Sequence, residues 1–306
     1  MGRDLGRAST STKLGCVAMP AVSVIVPCHN GGRFLDELVA NLREQTFKDF
    51  EIVIVNDGST EQDTLNVLKR LESEVRVVHQ ENRYLPGARN RGFLEAKADI
   101  VLPLDCDDRL EPTFLAETLA ALRNAPNSTG FVFTHMRLAG SIEGVLKTHC
   151  NRFDQLFLNH MAYCLLIKKI AWQQIGGYDE TMRDGAEDWE FNIRLLKAGF
   201  GWVEVPRPLL IYSVRADGML LSKSARMHAT IWRCIRDRNP DLYRLPALIG
   251  AWLDNRPSWF STFRGAALYS LSALLPEVWC NWLFFRLNMF MRERRIARGE
   301  LKVVEA

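Results

Sequence analysis

The sequence has 306 residues, 47% of them hydrophobic and 25% charged, so it is long enough for one large domain or two smaller ones and is not that of a disordered or collagen-like chain. The formal net charge of +3 is too small to indicate a protein that binds nucleic acid. The seven cysteines are scattered without a CxxC pair, which argues against a disulfide framework and a structural zinc site and favours a reducing, cytoplasmic location.

Residues 1–21 are predicted to form a flexible N-terminal tail. This segment is basic and contains several Ser and Thr residues. It lacks the apolar run of about 7–15 residues that a signal peptide contains. The folded part is therefore expected to begin at residue 22.

Residues 22–130 are predicted to form one half of an α/β domain. Buried strands are predicted at four short apolar runs, 22–27, 50–55, 75–79 and 100–104. Helices are predicted from apolar spacing at 34–42, 64–71, 87–98 and 112–122. Strands that alternate with helices favour a mostly parallel sheet with helices on both faces.

Polar residues follow three of these strands directly. In parallel sheets, ligands bind beyond the carboxyl ends of the strands, so we expect the three polar clusters to meet in one cleft. The clusters are Cys28-His29-Asn30, Asn56-Asp57 and Asp105-Cys106-Asp107-Asp108.

Residues 131–238 are predicted to form the other half of the domain and are less regular. Strands are predicted at 131–135, 161–168 and 202–205. The last of these is expected to end before Pro206 and Pro208, because proline cannot donate to a strand ladder. Glu187 and Asp188 begin a predicted helix that ends at Gly199, a typical C-terminal cap.

Residues 239–306 are predicted to form a C-terminal helical extension rich in Trp and Arg. The segment 265–285 is nearly apolar, although Pro276 and Glu277 interrupt it. Three interpretations are open: a membrane span, which needs roughly 20 apolar residues; a helix on the inner membrane face with arginines toward anionic lipid; and a helical appendage packed on the rest of the chain or on a second subunit.

The cluster Asp105-Cys106-Asp107-Asp108 is a candidate metal site. Neighbouring carboxylates repel one another unless a cation neutralises them. Oxygen ligands suit Mg²⁺ or Mn²⁺, which keep positions open for substrate phosphates. In an extended segment, Asp105 and Asp107 would point to the same side. The alternative is a solvated turn that caps the helix after it.

Two other acidic positions also allow two interpretations. Asp57 lies in the turn sequence NDGS, where it would either form a β-turn or accept hydrogen bonds from a base or ribose. Glu187 and Asp188 would either complement the helix dipole or supply a general base that takes a proton from an attacking hydroxyl.

The basic candidates are Arg89 and Arg215. A planar guanidinium binds phosphate oxygens bidentately, and the alternative for each residue is a surface salt bridge. His29 alone is interpreted as a loop histidine, and the other histidines show no metal-ligand spacing. The sequence has no glycine-rich phosphate-binding motif.

In this order, the chain contains VSVIVPCHN, FEIVIVNDGST, GARNRG, LPLDCDD, GGYDE, EDWEFNIRLLKAGF and YSVR. Together these segments resemble the inverting glycosyltransferases of family 2, over roughly Val22 to Met219. The resemblance implies the α/β GT-A fold, with a Rossmann-like, mostly parallel central sheet flanked by helices, here followed by the C-terminal helical extension. It also implies a nucleotide-sugar donor.

The resemblance also implies roles for individual residues. Asp188 matches the catalytic base, with Glu187 beside it. The metal ligands, for Mn²⁺ or Mg²⁺, would be drawn from Asp105, Asp107 and Asp108, and which two of them act stays open. Binding of the nucleotide sugar falls to Pro27, His29, Asp57, Arg89, Asp105 and Arg215.

The expected function is metal-dependent, inverting transfer of a sugar from a nucleotide sugar to a saccharide or lipid-linked acceptor. The resemblance implies that the donor is a UDP-sugar. A role in surface polysaccharide or glycolipid assembly, a homodimer and peripheral contact with the inner membrane face are expected on the same ground. The sequence lacks QxxRW, which disfavours processive synthesis. The alternatives are a nucleotidyltransferase, which would need a glycine-rich basic loop after the first strand, and a non-catalytic nucleotide-sugar-binding protein.

Overall fold

The computed structural model describes residues 19–215 and 226–304, so most of the predicted tail at 1–21 lies outside the described residues. The strands are β1 (Val22–Cys28), β2 (Phe50–Asp57), β3 (Arg76–Gln80), β4 (Ile100–Pro103), β5 (Arg109–Leu110), β6 (Thr129–Gly140), β7 (Ile142–Leu146), β8 (Leu166–Lys168), β9 (Gly201–Val214) and β10 (Leu301–Val303). The helices are α1 (Gly32–Arg43), α2 (Gln62–Leu71), α3 (Tyr84–Glu95), α4 (Phe114–Arg123), α5 (Arg152–Gln155), α6 (Lys169–Gln174), α7 (Glu187–Lys197), α8 (His228–Arg238), α9 (Leu245–Asn255), α10 (Trp259–Leu274) and α11 (Glu277–Ala297).

The strands form one mixed sheet in the order β10-β7-β6-β8-β4-β1-β2-β3. The strands β4, β1, β2 and β3 are parallel, which confirms the predicted parallel core. Successive residues of β1 enter two different hydrophobic clusters, since Val24 and Val26 pack with α1 and α4, while Ile25 packs with α3 and α7. Both faces are therefore covered by helices, as predicted.

Close packing of α3 on the sheet explains a glycine in the segment GARNRG. A Cβ at Gly92 would lie 2.8 Å from the Cβ of Ile25 in β1, so a larger residue would push the helix away. This approach brings Arg89, three residues earlier on the same helix, into the interior below the carboxyl ends of the strands.

The strand predicted at 202–205 is longer than expected. It continues through Pro206 and Pro208 to Val214 and pairs in parallel with β6. The register shifts on both sides of His135, which pairs with Pro208, so the prolines lie at a bulge where no ladder hydrogen bond is needed. This longer β9 carries Arg215 to the acidic turn after β4.

Other predictions in the second half had mixed outcomes. The strand expected at 161–168 is confined to Leu166–Lys168, because a local turn precedes it, in which Leu165 donates to the carbonyl of Tyr163. The predicted end of α7 is confirmed, since Gly199 has φ +85° and donates to the carbonyl of Leu196.

The C-terminal extension is helical, as predicted, and returns to the sheet through β10, which pairs antiparallel with β7. The apolar segment 265–285 is divided between α10 and α11 at Leu275 and Pro276, so it is not a single helix. In the two described stretches of the chain, no helix is both long enough and apolar enough to cross a bilayer. The division into 22–130, 131–238 and 239–306 stays a prediction.

Candidate functional site

The acidic cluster after β4 forms a tight turn. The amide of Asp108 donates to the carbonyl of Asp105 over 3.1 Å, so the expected extended segment is wrong. The turn does not cap α4 either, because Thr113 precedes that helix and no side chain caps it. The hydroxyl of Tyr163 accepts a hydrogen bond from the amide of Asp105 over 3.0 Å and fixes the start of the turn.

Asp108 faces the interior and not the cleft. One carboxylate oxygen accepts a 2.6 Å bond from the Tyr163 hydroxyl, and the other accepts a 2.7 Å bond from the amide of Ser213 in β9. Burial raises the pKa of this carboxyl well above its ordinary value. The expectation that Asp108 binds a metal is therefore corrected, because its oxygens hold β9 against the turn.

Arg89 joins the two halves of the site. Its guanidinium donates to both oxygens of Asp105, at 2.9 and 3.1 Å, and to Glu187 at 2.5 Å. The side chain is 1% exposed and lies over the rings of Tyr163 and Tyr178, with the guanidinium carbon 4.9 and 5.6 Å from the ring centroids. A buried arginine therefore connects the turn after β4 with the start of α7.

This bridge corrects two expected roles. Arg89 cannot bind donor phosphates as proposed from the sequence, because its terminal nitrogens already bind two carboxylates inside the protein. Glu187, whose side chain is 5% exposed, is the partner of Arg89 and not a second catalytic group. Burial raises the pKa of Glu187 to about 7, although the charge of Arg89 opposes that rise.

Asp188 is the partly exposed carboxylate at the start of α7. Ala186 is the residue before the helix, and no side chain caps it, so Glu187 and Asp188 do not act as an N-cap. One oxygen of Asp188 accepts a 2.9 Å bond from the side-chain amide of Asn159, which fixes its direction. Burial raises the pKa of Asp188 above its ordinary value, which makes the carboxylate more basic.

Asp107 lies on the open side of the turn. Its carboxylate is 3.8 Å from the guanidinium of Arg215, and the two side chains are 30% and 29% exposed. Burial and the charge of Asp105 raise the pKa of Asp107. The guanidinium of Arg215 also lies over the ring of Phe34, 5.2 Å from the centroid. Asp107 and Arg215 thus lie side by side at the open side of the turn.

The carboxyl ends of β1 and β2 form the neighbouring part of the cleft. The exposed His29 donates through Nδ1 to the carbonyl of Asp57 over 2.8 Å. The Asp57 side chain is buried and accepts bonds from the amide of Arg83, at 2.8 Å, and from Gln80, at 2.7 Å. Pro27 is buried in β1 beside these residues. The first two polar clusters therefore meet, as expected.

A cavity of about 680 Å³ opens beside Asp188. Its polar end is formed by Asp105, Arg89, Glu187, Asp188 and Asn159. Its remaining walls come from β6, β7, β9, β10, α7, α8 and α11 and from Leu85, Leu158 and Tyr163. The sequence did not predict this cavity, because its walls belong to elements that lie far apart in the chain and carry no motif, for example Leu138 in β6 and Arg295 in α11.

The sequence spacing also missed a cluster of His149, Asp154 and His160. Their possible ligand atoms lie within 4.8 Å of one another. Burial, together with the charges of His149 and the guanidinium of Arg264, lowers the pKa of His160 to about 3. Because that guanidinium opposes a cation, we assign the cluster a structural role in which the amide of His149 donates to the carbonyl of His160.

Solved structures of similar shape identify the fold. The mannosyltransferase PcManGT from Pyrobaculum calidifontis, in complex with GDP-Man and Mn²⁺, has a TM-score of 0.56 and 20% identity, over 90% of this chain and 81% of that one. Residues 1–349 of S. aureus TarS, in complex with UDP-GlcNAc, have a TM-score of 0.55 and 18% identity, over 92% of this chain and 96% of that one. The chain has the GT-A fold of these glycosyltransferases.

Sequence comparisons relate part of the chain to a family of enzymes. Residues 23–161 match the model of Glycosyl transferase family 2, so this part of the chain resembles that family. Glycosyltransferase GlyG of Streptococcus pneumoniae is 36% identical over 101 residues, which cover 32% of this chain and 33% of the relative. Uncharacterized glycosyltransferase EpsJ of Bacillus subtilis is 36% identical over 92 residues, which cover 29% and 27%. The chain thus matches about a third of the length of these curated relatives.

Proposed function

We propose that the protein is an inverting, metal-dependent glycosyltransferase that moves a sugar from a nucleotide sugar to a hydroxyl of a saccharide or lipid-linked acceptor. The observation that carries this proposal is the Arg89 bridge, which holds the acidic turn and the start of α7 at the polar end of one cavity. The donors bound by PcManGT and TarS support a nucleotide-sugar donor, which we take to be a UDP-sugar. The reaction would serve surface polysaccharide or glycolipid assembly.

The donor and the acceptor would occupy different parts of the cleft. Residues 22–130 would bind the nucleotide, with Pro27, His29 and Asp57 at the base and Arg215 at the diphosphate. Residues 131–238 would bind the acceptor with help from the extension at 239–306. This division is supported by the positions of the residues in the chain. His29 lies at the end of β1, whereas most residues that line the cavity come after residue 130.

In the proposed mechanism, Asp188 takes the proton from the acceptor hydroxyl. Its carboxylate fits this role because it faces the cavity, is held by Asn159 and has a raised pKa. The deprotonated oxygen attacks the anomeric carbon from the face opposite the departing nucleotide, so the configuration inverts. Arg215 stabilises the negative charge that grows on the diphosphate.

Asp105 and Asp107 would hold the divalent cation, Mn²⁺ or Mg²⁺. The donor set fits, because two carboxylates offer hard oxygen ligands and the side chain of Asp107, on the open side of the turn, is 30% exposed. When bound, such an ion acts as a Lewis acid that stabilises charge on the phosphate oxygens. Burial and the charge of Asp105 raise the pKa of Asp107, and a bound cation would favour its ionised form.

Removal of the ion should abolish activity. We expect release of nucleoside diphosphate from UDP- and GDP-sugars to stop after EDTA treatment and to return with Mn²⁺. Asp107→Asn should lower the rate at least about a hundredfold, because a cation contributes several kcal/mol of charge stabilisation. The exposed Asp36→Asn is the matched control and should keep the wild-type rate. Full activity after exhaustive chelation would contradict the metal assignment.

We further propose a cytoplasmic protein that contacts the inner membrane face through α10 and α11. Free thiols at Cys28, Cys106, Cys150, Cys164, Cys234 and Cys280 support a reducing compartment. Large apolar side chains are exposed on the two helices, among them Trp259, Phe263, Trp279 and Trp282. Such residues, with nearby arginines, are typical of helices that lie on anionic lipid. A homodimer stays a prediction, and no nucleic-acid partner is proposed.

The membrane contact predicts that the protein sediments with phosphatidylglycerol vesicles and less with phosphatidylcholine vesicles. Trp279→Glu should reduce the bound fraction, because it places a charge where the ring would enter the interface. Ile170→Glu, at an exposed position on α6, is the control and should leave the bound fraction unchanged. Protein that stays in the supernatant with both lipids would rule the contact out.

A further inference from the structure

Most of the cavity beside Asp188 is unsuited to a bare saccharide. Beyond the polar end, its walls are mostly aliphatic and aromatic, and they include Leu138, Ile142, Leu146, Phe285, Met289 and Leu301. A saccharide presents hydroxyl groups that lose their hydrogen bonds to water unless a wall replaces them. An occupant that fills this space must therefore carry an apolar portion.

The apolar walls are held in place by side-chain packing and by strand pairing. Leu138, Ile142 and Leu301 form one small hydrophobic cluster, against which Ile296 of α11 packs. Strand β10 pairs with β7 and holds this cluster closed. The end of α11 is therefore fixed against the β6–β7 hairpin, and residues of both line the cavity.

Two arginines of α11 introduce positive charge into this apolar enclosure. Arg295 lines the cavity and is held by the Glu300 carboxylate, at 3.1 Å, and the carbonyl of Val145, at 3.2 Å. Arg292 also lines the cavity, and its Nε is buried without a hydrogen-bond partner among residues 19–215 and 226–304. A buried N–H without an acceptor is costly, and an anion that enters the cavity would supply one. Phosphate is the anion whose geometry a guanidinium matches.

We infer that the cavity binds an amphiphilic acceptor, in which an apolar chain is joined through phosphate to the saccharide that receives the sugar. The phosphate lies at Arg292, and the chain lies between α11 and the β6–β7 hairpin. The inference rests on the proposed function, because it takes Asp188 as the base that meets the acceptor hydroxyl. The exposed Trp279 and Trp282 lie on the same helix and would place the cavity beside the lipid from which such a chain comes.

The probe for this site is geranyl phosphate, used below its micelle concentration and without divalent cations. Geraniol has only the apolar chain of this probe, and inorganic phosphate has only its phosphate group. By isothermal titration, we expect geranyl phosphate to bind at least about tenfold more tightly than either, since a charge-assisted hydrogen bond and apolar burial act together. Equal affinity of geranyl phosphate and inorganic phosphate would overturn the apolar part of the inference.

Two pairs of variants locate the probe. Arg292→Gln should weaken geranyl phosphate binding about tenfold and leave geraniol unchanged. Arg294→Gln, on the exposed side of the same helix, should change neither. Met289→Glu should abolish binding of geranyl phosphate, whereas Phe290→Glu, which is exposed, should not. If Arg292→Gln weakened both probes equally, Arg292 would have a structural role only, and the phosphate assignment would fail.

A separate titration of the donor separates this inference from the proposed function. UDP- or GDP-sugars could bind with Mn²⁺ and be turned over while geranyl phosphate binds no better than geraniol or inorganic phosphate. In that case the inference of an amphiphilic acceptor is wrong and the transferase function stands. If no nucleotide sugar binds, the proposed function fails whatever the probe does.

Discussion

Asp188→Asn is expected to lower the rate of sugar transfer roughly 10²–10⁴-fold, the usual contribution of a general base. The amide keeps the size of the side chain but cannot take a proton from the acceptor. Donor binding should persist, because the proposed nucleotide site lies at the ends of β1 and β2. Release of nucleoside diphosphate measures the rate, and titration with the nucleotide sugar measures binding.

The pH profile supplies a second readout for Asp188. Burial raises the pKa of its carboxyl, and protonation removes the base, so activity should fall as the pH decreases through that raised value. The acid limb of kcat/KM should therefore lie above the range of an exposed aspartate. Asp63→Asn, at an exposed carboxylate of α2, is the control and should leave the rate and the profile unchanged. A wild-type rate in Asp188→Asn would eliminate the base assignment.

Arg89→Met should lower the free energy of unfolding by about 3–5 kcal/mol, the cost of removing one partner of a buried ion pair. The substitution leaves Glu187, and in part Asp105, without the charge that compensates them inside the protein. Methionine roughly preserves the apolar volume, so the effect reports the lost guanidinium. Urea unfolding measures the change.

Two variants test this interpretation of Arg89. Arg91→Met lies two residues away on α3 and removes a half-exposed pair with Glu95, which should cost only about 0.3–0.5 kcal/mol. Addition of Glu187→Gln to Arg89→Met should recover part of the lost stability, because it removes the uncompensated carboxylate. If Arg89→Met were as stable as Arg91→Met, the buried bridge would not hold the site together.

The sequence was sufficient to predict the parallel core and the general position of the site. The strands β1, β2 and β4 are mostly apolar runs that lead into polar residues, and these local signals do not depend on distant partners. Asp107 and Asp188 could be singled out because one follows a strand end and the other begins a helix.

The direction of individual polar side chains could not be predicted in the same way. Asp108 faces the interior because Tyr163 and Ser213 bind it, and these residues are 55 and 105 positions away. The prediction that Arg89 binds the donor is wrong, because the burial of its side chain depends on Glu187, 98 residues later, and the local sequence does not show that contact. The length of β9 was missed for a related reason, since only the pairing with β6 shows that its prolines lie at a bulge.

The pairing of β10 with β7 has a consequence for the order in which the protein is assembled during translation. The parallel strands β1 to β4 lie within the first 103 residues and can pair while the ribosome is still adding the rest of the chain. The wall beside Asp188 needs Leu301, so it can close only after residue 301 has emerged. The nascent chain would thus acquire its nucleotide-binding side long before the enclosure around Arg292 exists.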